Sequence, residues 1–285
     1  MNFLISGISG FIGSHLAEKI RASGHTVLSI SRDFSVSDET LETPNVYLLK
    51  DDKTPIDVFI HCAASHPSHG CNAKAIFSGN VTLTQKLLNW ASNRRPEVFI
   101  FLSTISVYGK PRPGPLLISS PTIHPTIYGQ AKKQSESLVQ NWGQSNNVAT
   151  HCVRLPAVLG KHEHLTFLPR LIKALRSGDE INTHSLKSLF NHIVHVDDVC
   201  RFLVTLSKEN RRSSITQLAS SQPCELETIV NTACDYFNIE ETHICPDTLE
   251  TSFVDISDAE KLGFQPKPTM DLLYQRLDAN LLSLL

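Results

Sequence analysis

No stretch of this 285-residue chain approaches the roughly 20 consecutive apolar residues that span a bilayer. An excess of charge is missing too. Lys plus Arg number 26 against 28 for Asp plus Glu, a formal net charge of −2, so the chain carries no global electrostatic footprint for nucleic acid. Charged residues make up only 19%, while the 41% hydrophobic residues run along the whole length, which excludes disorder as the main state and supplies a core. The seven cysteines include no C-x-x-C pair and are odd in number, which fits reduced thiols in a cytosol better than a disulfide framework. Cys62, Cys152 and Cys200 lie in apolar runs and read as small buried hydrophobes. None of the 13 histidines falls into H-x-x-x-H or H-E-x-x-H, so no metal is expected. The first twenty residues lack the basic region of a signal peptide, and Gly7, Gly10 and Gly13 interrupt their apolar run. Repeats, low-complexity tracts and linkers are absent as well. The expected partner is a small molecule, with no nucleic acid and no membrane, and the expected location is cytoplasmic.

What is present is alternation. NFLIS (2–6) reads as a strand, IGSHLAEKIRA (12–22) as a helix and HTVLSIS (25–31) as a second strand, together a βαβ unit of roughly thirty residues. Strand patterns follow at VYLL (46–49), DVFIHCAA (57–64), EVFIFLST (97–104) and ATHCVRLPAVLG (149–160), with helical patterns at 80–93 and 128–142. Near-continuous apolar strands separated by helices predict a parallel sheet covered on both faces, the doubly wound, Rossmann-type α/β class. One junction is too short for this scheme. Only KDDKTPI separates VYLL from DVFIHC, so these two strands are either not neighbours or joined by a trimmed crossover. Beyond residue 160, a helix closed by Gly178 precedes a strand and helix over 193–206, the helix capped at Asp197 or Asp198, and two more helices lie around 225–237 and 270–284. The predicted division is a dinucleotide-binding domain over 1–165, to which 190–210 returns, and a small interleaved substrate lobe over 166–189 and 211–285.

Gly7-Ile8-Ser9-Gly10-Phe11-Ile12-Gly13 joins the first strand to the first helix. Glycines there permit the sharp turn, let backbone approach a pyrophosphate and aim free helix N–H groups at the anion. An acidic residue at the end of the second strand would bind the ribose of NAD; here Ser31 and Arg32 precede Asp33. Serine removes a carboxylate that repels a 2′-phosphate and Arg32 offers a fork to hold one, so NADP is favoured over NAD. The other reading leaves Arg32 in solvent and gives Asp33 the acidic role. Tyr128 and Lys132 open a helix at i and i+4 and share a face. A lysine ammonium beside a phenol would pull its pKa toward neutrality and suit it to move a proton at a carbinol or carbonyl oxygen during hydride transfer. LSTISVYG (102–109) ends the fourth strand pattern and places Thr104, with Ser103 as alternate donor, at the carboxyl edge that faces a ligand crevice.

These motifs, with HCAA (61–64), NVTLTQKLLNWA (80–91), RLPAVLG (154–160), HVDDV (195–199) and KLGFQPKPT (261–269), resemble the extended short-chain dehydrogenases/reductases, the NAD-dependent epimerase/dehydratase group, in the family's order and over nearly the whole chain. The resemblance implies Thr104 as the catalytic Ser/Thr, Tyr128 as acid/base and Lys132 as its partner, which also reaches the nicotinamide ribose. It implies a cofactor crevice lined by Gly7, Gly10, Phe11, Ile12, Gly13, Ala63, Ser103 and Pro156, with Asn80 as the helix asparagine and His66, Thr104 and Tyr128 on the substrate side. It also implies a homodimer, for which Leu83, Leu87 and Trp90 suit the seam as well as they suit the core.

Departures narrow the activity. Dehydratases of the group carry Asp-Glu after the catalytic threonine, and the 3,5-epimerase/reductases a cysteine; here Ile105 and Ser106 follow, which leaves hydride chemistry at one carbon. Many relatives hold a nucleotide diphosphate with an arginine just before the strand ending H-V-D-D, where this chain has Leu189-Phe190-Asn191-His192. Lys161, Arg170, Arg176 and Lys187 read as substitutes or as solvated charges. The prolines at 111, 113, 115, 121 and 125 stiffen the loop between Thr104 and Tyr128, as a substrate wall or as a pin for stability. The leading expectation is an NAD(P)-dependent reductase or epimerase of a nucleotide-linked sugar. The alternatives are a reductase or dehydrogenase of a hydroxy-ketone metabolite without a diphosphate, and a dinucleotide-binding sensor without chemistry.

Overall fold

A computed structural model of the chain describes residues 1–30, 46–48, 54–67, 70–110, 112–161, 163, 166–210, 212–239, 244–246, 248 and 251–282. The chain divides into two compact units, one made of 1–109, 122–154 and 199–216, the other of 110–121, 155–198 and 217–285. Relative to the division read from sequence, 110–121, 155–165 and 190–198 fall in the second unit and 211–216 in the first.

The first unit holds β1 (Asn2–Ser6), α1 (Phe11–Ala22), β2 (Thr26–Ile30), β3 (Val46–Leu48), β4 (Val58–His61), α2 (Ala73–Phe77), α3 (Leu83–Arg94) and β5 (Val98–Thr104). After β6 (Gly114–Leu116), which belongs to the second unit, it continues with α4 (Ile127–Asn146) and β7 (Ala149–Leu155). Among the described residues its sheet runs β3-β2-β1-β4-β5-β7-β12, where β12 is Ser214–Gln217. The strands from β3 to β5 pair in parallel, with Leu4 opposite Leu28 and Phe59, and Phe59 opposite Phe99. This order reverses at β1, the topological switch point where a doubly wound sheet opens its ligand crevice. It also resolves the short junction: β3 and β4 flank β2 and β1 from opposite sides and are not neighbours. β4, β5 and β7 lie inside the sheet and are buried along their whole length, as their largely apolar runs require.

One face of this sheet is closed by α3 and α4. Phe59 and Phe99 meet at 4.8 Å between ring centroids, and Leu87, Leu88, Ala91 and Val139 pack against them. Each fully buried phenylalanine contributes about 1.5–3 kcal/mol relative to exposure. Leu87 is core, and Leu83 and Trp90 pack onto that core, so this trio faces the sheet of its own unit. Trp142 Nε1 donates to Ser92 Oγ at 2.8 Å and ties α4 to α3. The helix expected at 80–93 begins earlier: α2 runs through a π turn at Ser78–Thr82 directly into α3.

In the second unit, β8 (Ala157–Leu159) follows β7 across Pro156, which splits the single strand expected at 149–160. Then come α5 (Phe167–Ser177), β9 (Ile181–Thr183), β10 (Leu189–Phe190), β11 (Ile193–His195) and α6 (Val196–Leu206), the last of which runs on into the first unit. Gly178 closes α5 in the left-handed conformation, φ +72°. Asp197 and Asp198 stand in the first turn of α6 rather than capping it, because the helix already begins at Val196. The tail adds β13 (Cys224–Glu225), α7 (Leu226–Phe237), β14 (Ile244–Pro246), β15 (Ser252–Val254), α8 (Ser257–Lys261) and α9 (Thr269–Leu282). Leu171, Leu175, Ile229, Val230, Leu273 and Leu277 join α5, α7 and α9 in one core. The proline loop is pinned within this unit, where β6 pairs in parallel with β15 and Asp255 N donates to Leu116 O at 3.1 Å. Among the described residues no helix is long and apolar enough to cross a membrane.

Among the described residues, His61 and His151 are buried and His192 is half-buried. Burial lowers His61 from 6.5 to about 3 and His192 to about 4, and it lowers His151 as well. Below pH 6.5 the unfolded chain takes up protons that these imidazoles refuse in the fold, so stability is full above that pH and declines as pH falls toward 4. Urea unfolding at about pH 7.5, 6 and 5 is expected to show the midpoint falling at each step, well before carboxylates protonate. A midpoint flat over that range would mean that the imidazoles are charged in the fold.

Candidate active site

The first unit builds a phosphate-binding turn from its first strand. Gly7 has φ +73°, and a Cβ on it would lie 2.7 Å from both the Cα and the N of Ala63. Only glycine meets both conditions. Gly10 N donates to Gly7 O at 3.0 Å, and a Cβ on Gly13 would lie 2.2 Å from the same carbonyl, so the turn folds tightly onto the helix. Gly10 caps α1 without a side-chain bond, and the first turn, starting at Phe11 and Ile12, holds no acidic residue. No carboxylate in the first turn therefore opposes the positive end of the helix dipole, which suits an anion.

Opposite this turn the loop after β4 carries Ala63, which is buried, and Ser65. Asn80 lies inside the π turn, donating from Nδ2 to Ser65 O at 2.9 Å and to Ile76 O at 2.7 Å. Its Oδ1 is buried and has no hydrogen-bond partner among the described residues. A buried acceptor without a donor is the kind of group that a bound ligand completes. The same turn, with Ser65, Thr82 and Lys86, lines a cavity of about 190 Å³. The glycine cradle and this orphaned acceptor fit a dinucleotide. Ser31 and Arg32, on which the NADP preference rests, lie outside the described residues, as does Asp33.

The chemistry-bearing residues gather where β5 meets α4. Thr104 ends β5 and caps a 3-10 turn at Ile105–Tyr108, accepting from Ser106 N at 3.1 Å while its hydroxyl donates to Ser106 Oγ at 3.2 Å. Tyr128 stands in the first turn of α4, which Thr126 Oγ1 caps by accepting from Gly129 N at 3.2 Å. A Cβ on Gly129 would lie 2.2 Å from Ser106 O, so glycine beside Tyr128 is what lets the helix start lie against the 3-10 turn. The His66 ring meets the Tyr128 ring edge-on at 4.8 Å between centroids.

Lys132 shares its helix face with Tyr128 but is turned elsewhere. Its Nζ donates to Leu102 O at 2.8 Å and lies 4.6 Å from the centroid of the Phe101 ring. Burial lowers its pKa to about 8, and burial raises Tyr128 to about 12. The expected pull of the lysine on the phenol is therefore absent from this geometry: the ammonium solvates a sheet carbonyl, and Tyr128 holds its proton. Ser103, the alternate donor, is also engaged, its hydroxyl donating to Glu136 Oε1 at 2.7 Å.

Sequence reasoning missed the pair beneath. Arg154, fully buried in β7, donates from Nε to Glu136 Oε1 and from Nη2 to Oε2, both at 2.8 Å, and from Nη1 to Tyr108 Oη at 2.7 Å. Burial pushes the Glu136 carboxyl up, but the bonds and charge of Arg154 outweigh it and hold the group below its ordinary value. The signal was available: Tyr128, Lys132 and Glu136 repeat at i+4, and an arginine interrupts the apolar run CVRLP.

In the second unit, Asn191 is buried and fully engaged with backbone. Nδ2 donates to Val254 O at 2.9 Å and Ser220 O at 3.2 Å, and Oδ1 accepts from Val254 N at 2.8 Å. Arg176 stacks over Phe237, while Lys161, Arg170 and Lys187 are exposed. Pro156 stands between β7 and β8 in this unit.

Residues 3–217 match the family model described as the NAD dependent epimerase/dehydratase family. Among curated proteins, the "Probable UDP-glucuronate 4-epimerase" of Rhizobium meliloti (strain 1021) is 24% identical over 276 residues, covering 81% of each chain. UDP-glucuronic acid decarboxylase 2 of Arabidopsis thaliana is 26% identical over 171 residues, 54% of this chain and 38% of that one. Among solved structures, the UDP-glucuronic acid 4-epimerase from Bacillus cereus in complex with NAD superposes with a TM-score of 0.77 at 22% identity, covering 98% of this chain and 97% of that one. MoeE5 in complex with UDP-glucose and NAD gives 0.79 at 22% identity over the full length of both.

The cradle makes one expectation direct. Gly7→Ala adds a Cβ against Ala63 at a left-handed position that disfavours it by about 1–2 kcal/mol. Calorimetry is expected to find dinucleotide affinity reduced by at least about tenfold, and affinity equal to the wild type would dismiss the turn as the binding element.

Proposed function

Because the chain belongs to the NAD-dependent epimerase/dehydratase family, we propose that it is a nucleotide-sugar epimerase that interconverts the C4 epimers of a UDP-hexuronate. The observation that carries this reading is the convergence of Thr104 and Tyr128 where β5 meets the start of α4, on the unit that holds the glycine cradle. The relatives named as 4-epimerases supply the substrate class and the carbon. NAD is the proposed dinucleotide, in place of the NADP that Ser31 and Arg32 suggest in sequence, since the similar solved structures hold NAD. Gly7, Gly10, Phe11, Ile12, Gly13 and Ala63 hold it, with Asn80 Oδ1 as an acceptor. When bound, NAD would supply a reversible hydride acceptor for chemistry at one substrate carbon.

The chain's own residues manage the proton. Thr104 orients the substrate hydroxyl, and its Oγ retains acceptor capacity beside the Ser106 contacts. Tyr128 exchanges the proton of that hydroxyl. Its buried phenol, raised to about 12, is a strong proton holder that needs a cation to release it. Lys132 is the cation on the same face and is already poised near 8. Turning its Nζ from Leu102 O toward the phenol is the one rearrangement this mechanism needs. His66 packs on the Tyr128 ring and orders the substrate side. Ile105 and Ser106 offer no carboxylate or thiol to remove a proton from carbon, which argues against dehydration. The homodimer and cytoplasmic location implied by the family resemblance belong to the same reading.

A second reading has its own observation. Asn191, in the stretch where many relatives place an arginine for the diphosphate, is fully engaged with backbone, which favours a hydroxy-ketone substrate without a nucleotide. Incubation with UDP-glucuronate and NAD, followed by proton NMR, separates the outcomes. UDP-galacturonate is the expected product. A UDP-pentose with carbon dioxide would make the enzyme a decarboxylase, and no turnover with retained NAD binding would favour the second reading. Tyr128→Phe is expected to lower turnover by about 10²–10⁴-fold with NAD affinity nearly unchanged, and retained turnover would remove the acid/base role.

A further inference from the structure

His61 ends β4 with no exposure to solvent and takes no part in the proton chemistry above. It is the centre of a buried chain of hydrogen bonds whose direction can be fixed atom by atom. Thr84 Oγ1 donates to Asn80 O at 2.6 Å, which uses its only hydrogen. Toward His61 Nε2, 3.0 Å away, Thr84 is therefore an acceptor, and Nε2 carries the proton. Nδ1 then holds a lone pair and accepts from Ser6 Oγ at 2.7 Å. With that hydrogen used, Ser6 Oγ is left to accept, and Ala63 N approaches it at 3.4 Å. The imidazole is thus a neutral Nε2–H tautomer with both nitrogens satisfied, and burial, which holds its pKa near 3, keeps it so.

The three backbones joined by this chain are those that form the dinucleotide crevice. Ser6 precedes Gly7, the turn that approaches Ala63 within 2.7 Å of where a Cβ would stand. Ala63 belongs to the loop after β4. Asn80 belongs to the π turn and carries the orphaned Oδ1. We propose that His61 is a positioning residue of the cofactor crevice, a fixed donor–acceptor bridge that sets Gly7, Ala63 and Asn80 in one register. The proposal rests on the dinucleotide reading of the glycine cradle and is tested separately from it.

Glutamine is the discriminating substitution, because its Oε1 accepts from Ser6 while its Nε2 donates to Thr84. Leucine fills similar space and does neither. NAD binding to the wild type, His61→Gln and His61→Leu is measured by calorimetry, with thermal unfolding of each free protein as the control for folding. Expected are an affinity loss of about tenfold or more in His61→Leu and recovery of most of it in His61→Gln. Thr84→Val, which breaks the chain at its far end, is expected to weaken NAD binding as well. Combined with His61→Leu it adds less than the sum of the two effects, since both interrupt one network. Should His61→Leu fail to fold, Ser6→Ala and Thr84→Val read the same chain from its two ends, and their losses in NAD affinity are expected to be non-additive. His61→Leu binding NAD like the wild type, or His61→Gln binding as poorly as His61→Leu, would overturn the proposal while leaving the dinucleotide reading intact. Wild-type protein that binds no NAD would overturn both.

Discussion

A guanidinium in the middle of a buried strand sets the terms for the unit that carries Thr104, Tyr128 and Lys132. Arg154 sits in β7 with 1% exposure and cannot shed its charge. Leaving it unpaired would cost about 3–5 kcal/mol, a large part of the stability of a typical domain. Glu136 answers it with two bonds of 2.8 Å, and Tyr108 and Ser103 fill further positions of the same network. A pair of apolar side chains would stabilise such a site as well or better. What the ion pair adds is register. A bidentate match fixes the rotation and height of α4 against the sheet, and with Glu136 fixed, Lys132 and Tyr128 follow at one and two turns up the same face.

The other end of that register is set by contact rather than charge. Gly129 brings the start of α4 against the Ser106 carbonyl, with the Thr126 cap closing the turn. Thr104 caps the 3-10 turn that carries that carbonyl. Tyr108 belongs to both systems, since it ends the 3-10 turn and receives Arg154. The residues proposed for proton transfer are thus held from below by a salt bridge and from beside by a glycine contact. Across the same sheet the glycine turn is held by its own close contacts with Ala63. Thr104 and the glycine turn both stand at the carboxyl ends of parallel strands, where the sheet itself contributes rigidity.

How much of this was legible in the residues follows from how local each requirement is. The glycine turn was legible because its need for positive φ and close approach is written in residue type. The helix pairing of Tyr128 with Lys132 was legible from spacing. The direction of the lysine was not, because it depends on Leu102 O, a tertiary neighbour, and on a burial that leaves the ammonium seeking a carbonyl. For the same reason Ser103 read as a free donor when Glu136 holds it. Leu83, Leu87 and Trp90 carry an apolar stripe that fits a seam or a core equally, and only the packing onto Phe59 and Phe99 assigns it. The short loop between β3 and β4 was read correctly as a difficulty, and strand order answered it. Glu136 and Arg154 were within reach of a rule that pairs any charge found on a buried face with another.

In the first unit the residues proposed for proton transfer are tied to the packing of the sheet, and in the second a polar side chain is tied to the fold in the same way. Asn191 makes the point physically. Within the stretch Leu189–His192 this chain has a short amide whose donor and acceptor groups hold Ser220 and Val254. An arginine there would have to leave those backbone groups unsatisfied or rebuild the β10–β15 region around new partners, at about 1–3 kcal/mol for each buried group orphaned. The asparagine is thus part of the second unit's fold and cannot be exchanged as an independent specificity device. Arg170 and Lys187 differ from it in kind, since their exposure leaves them free to change without disturbing the core.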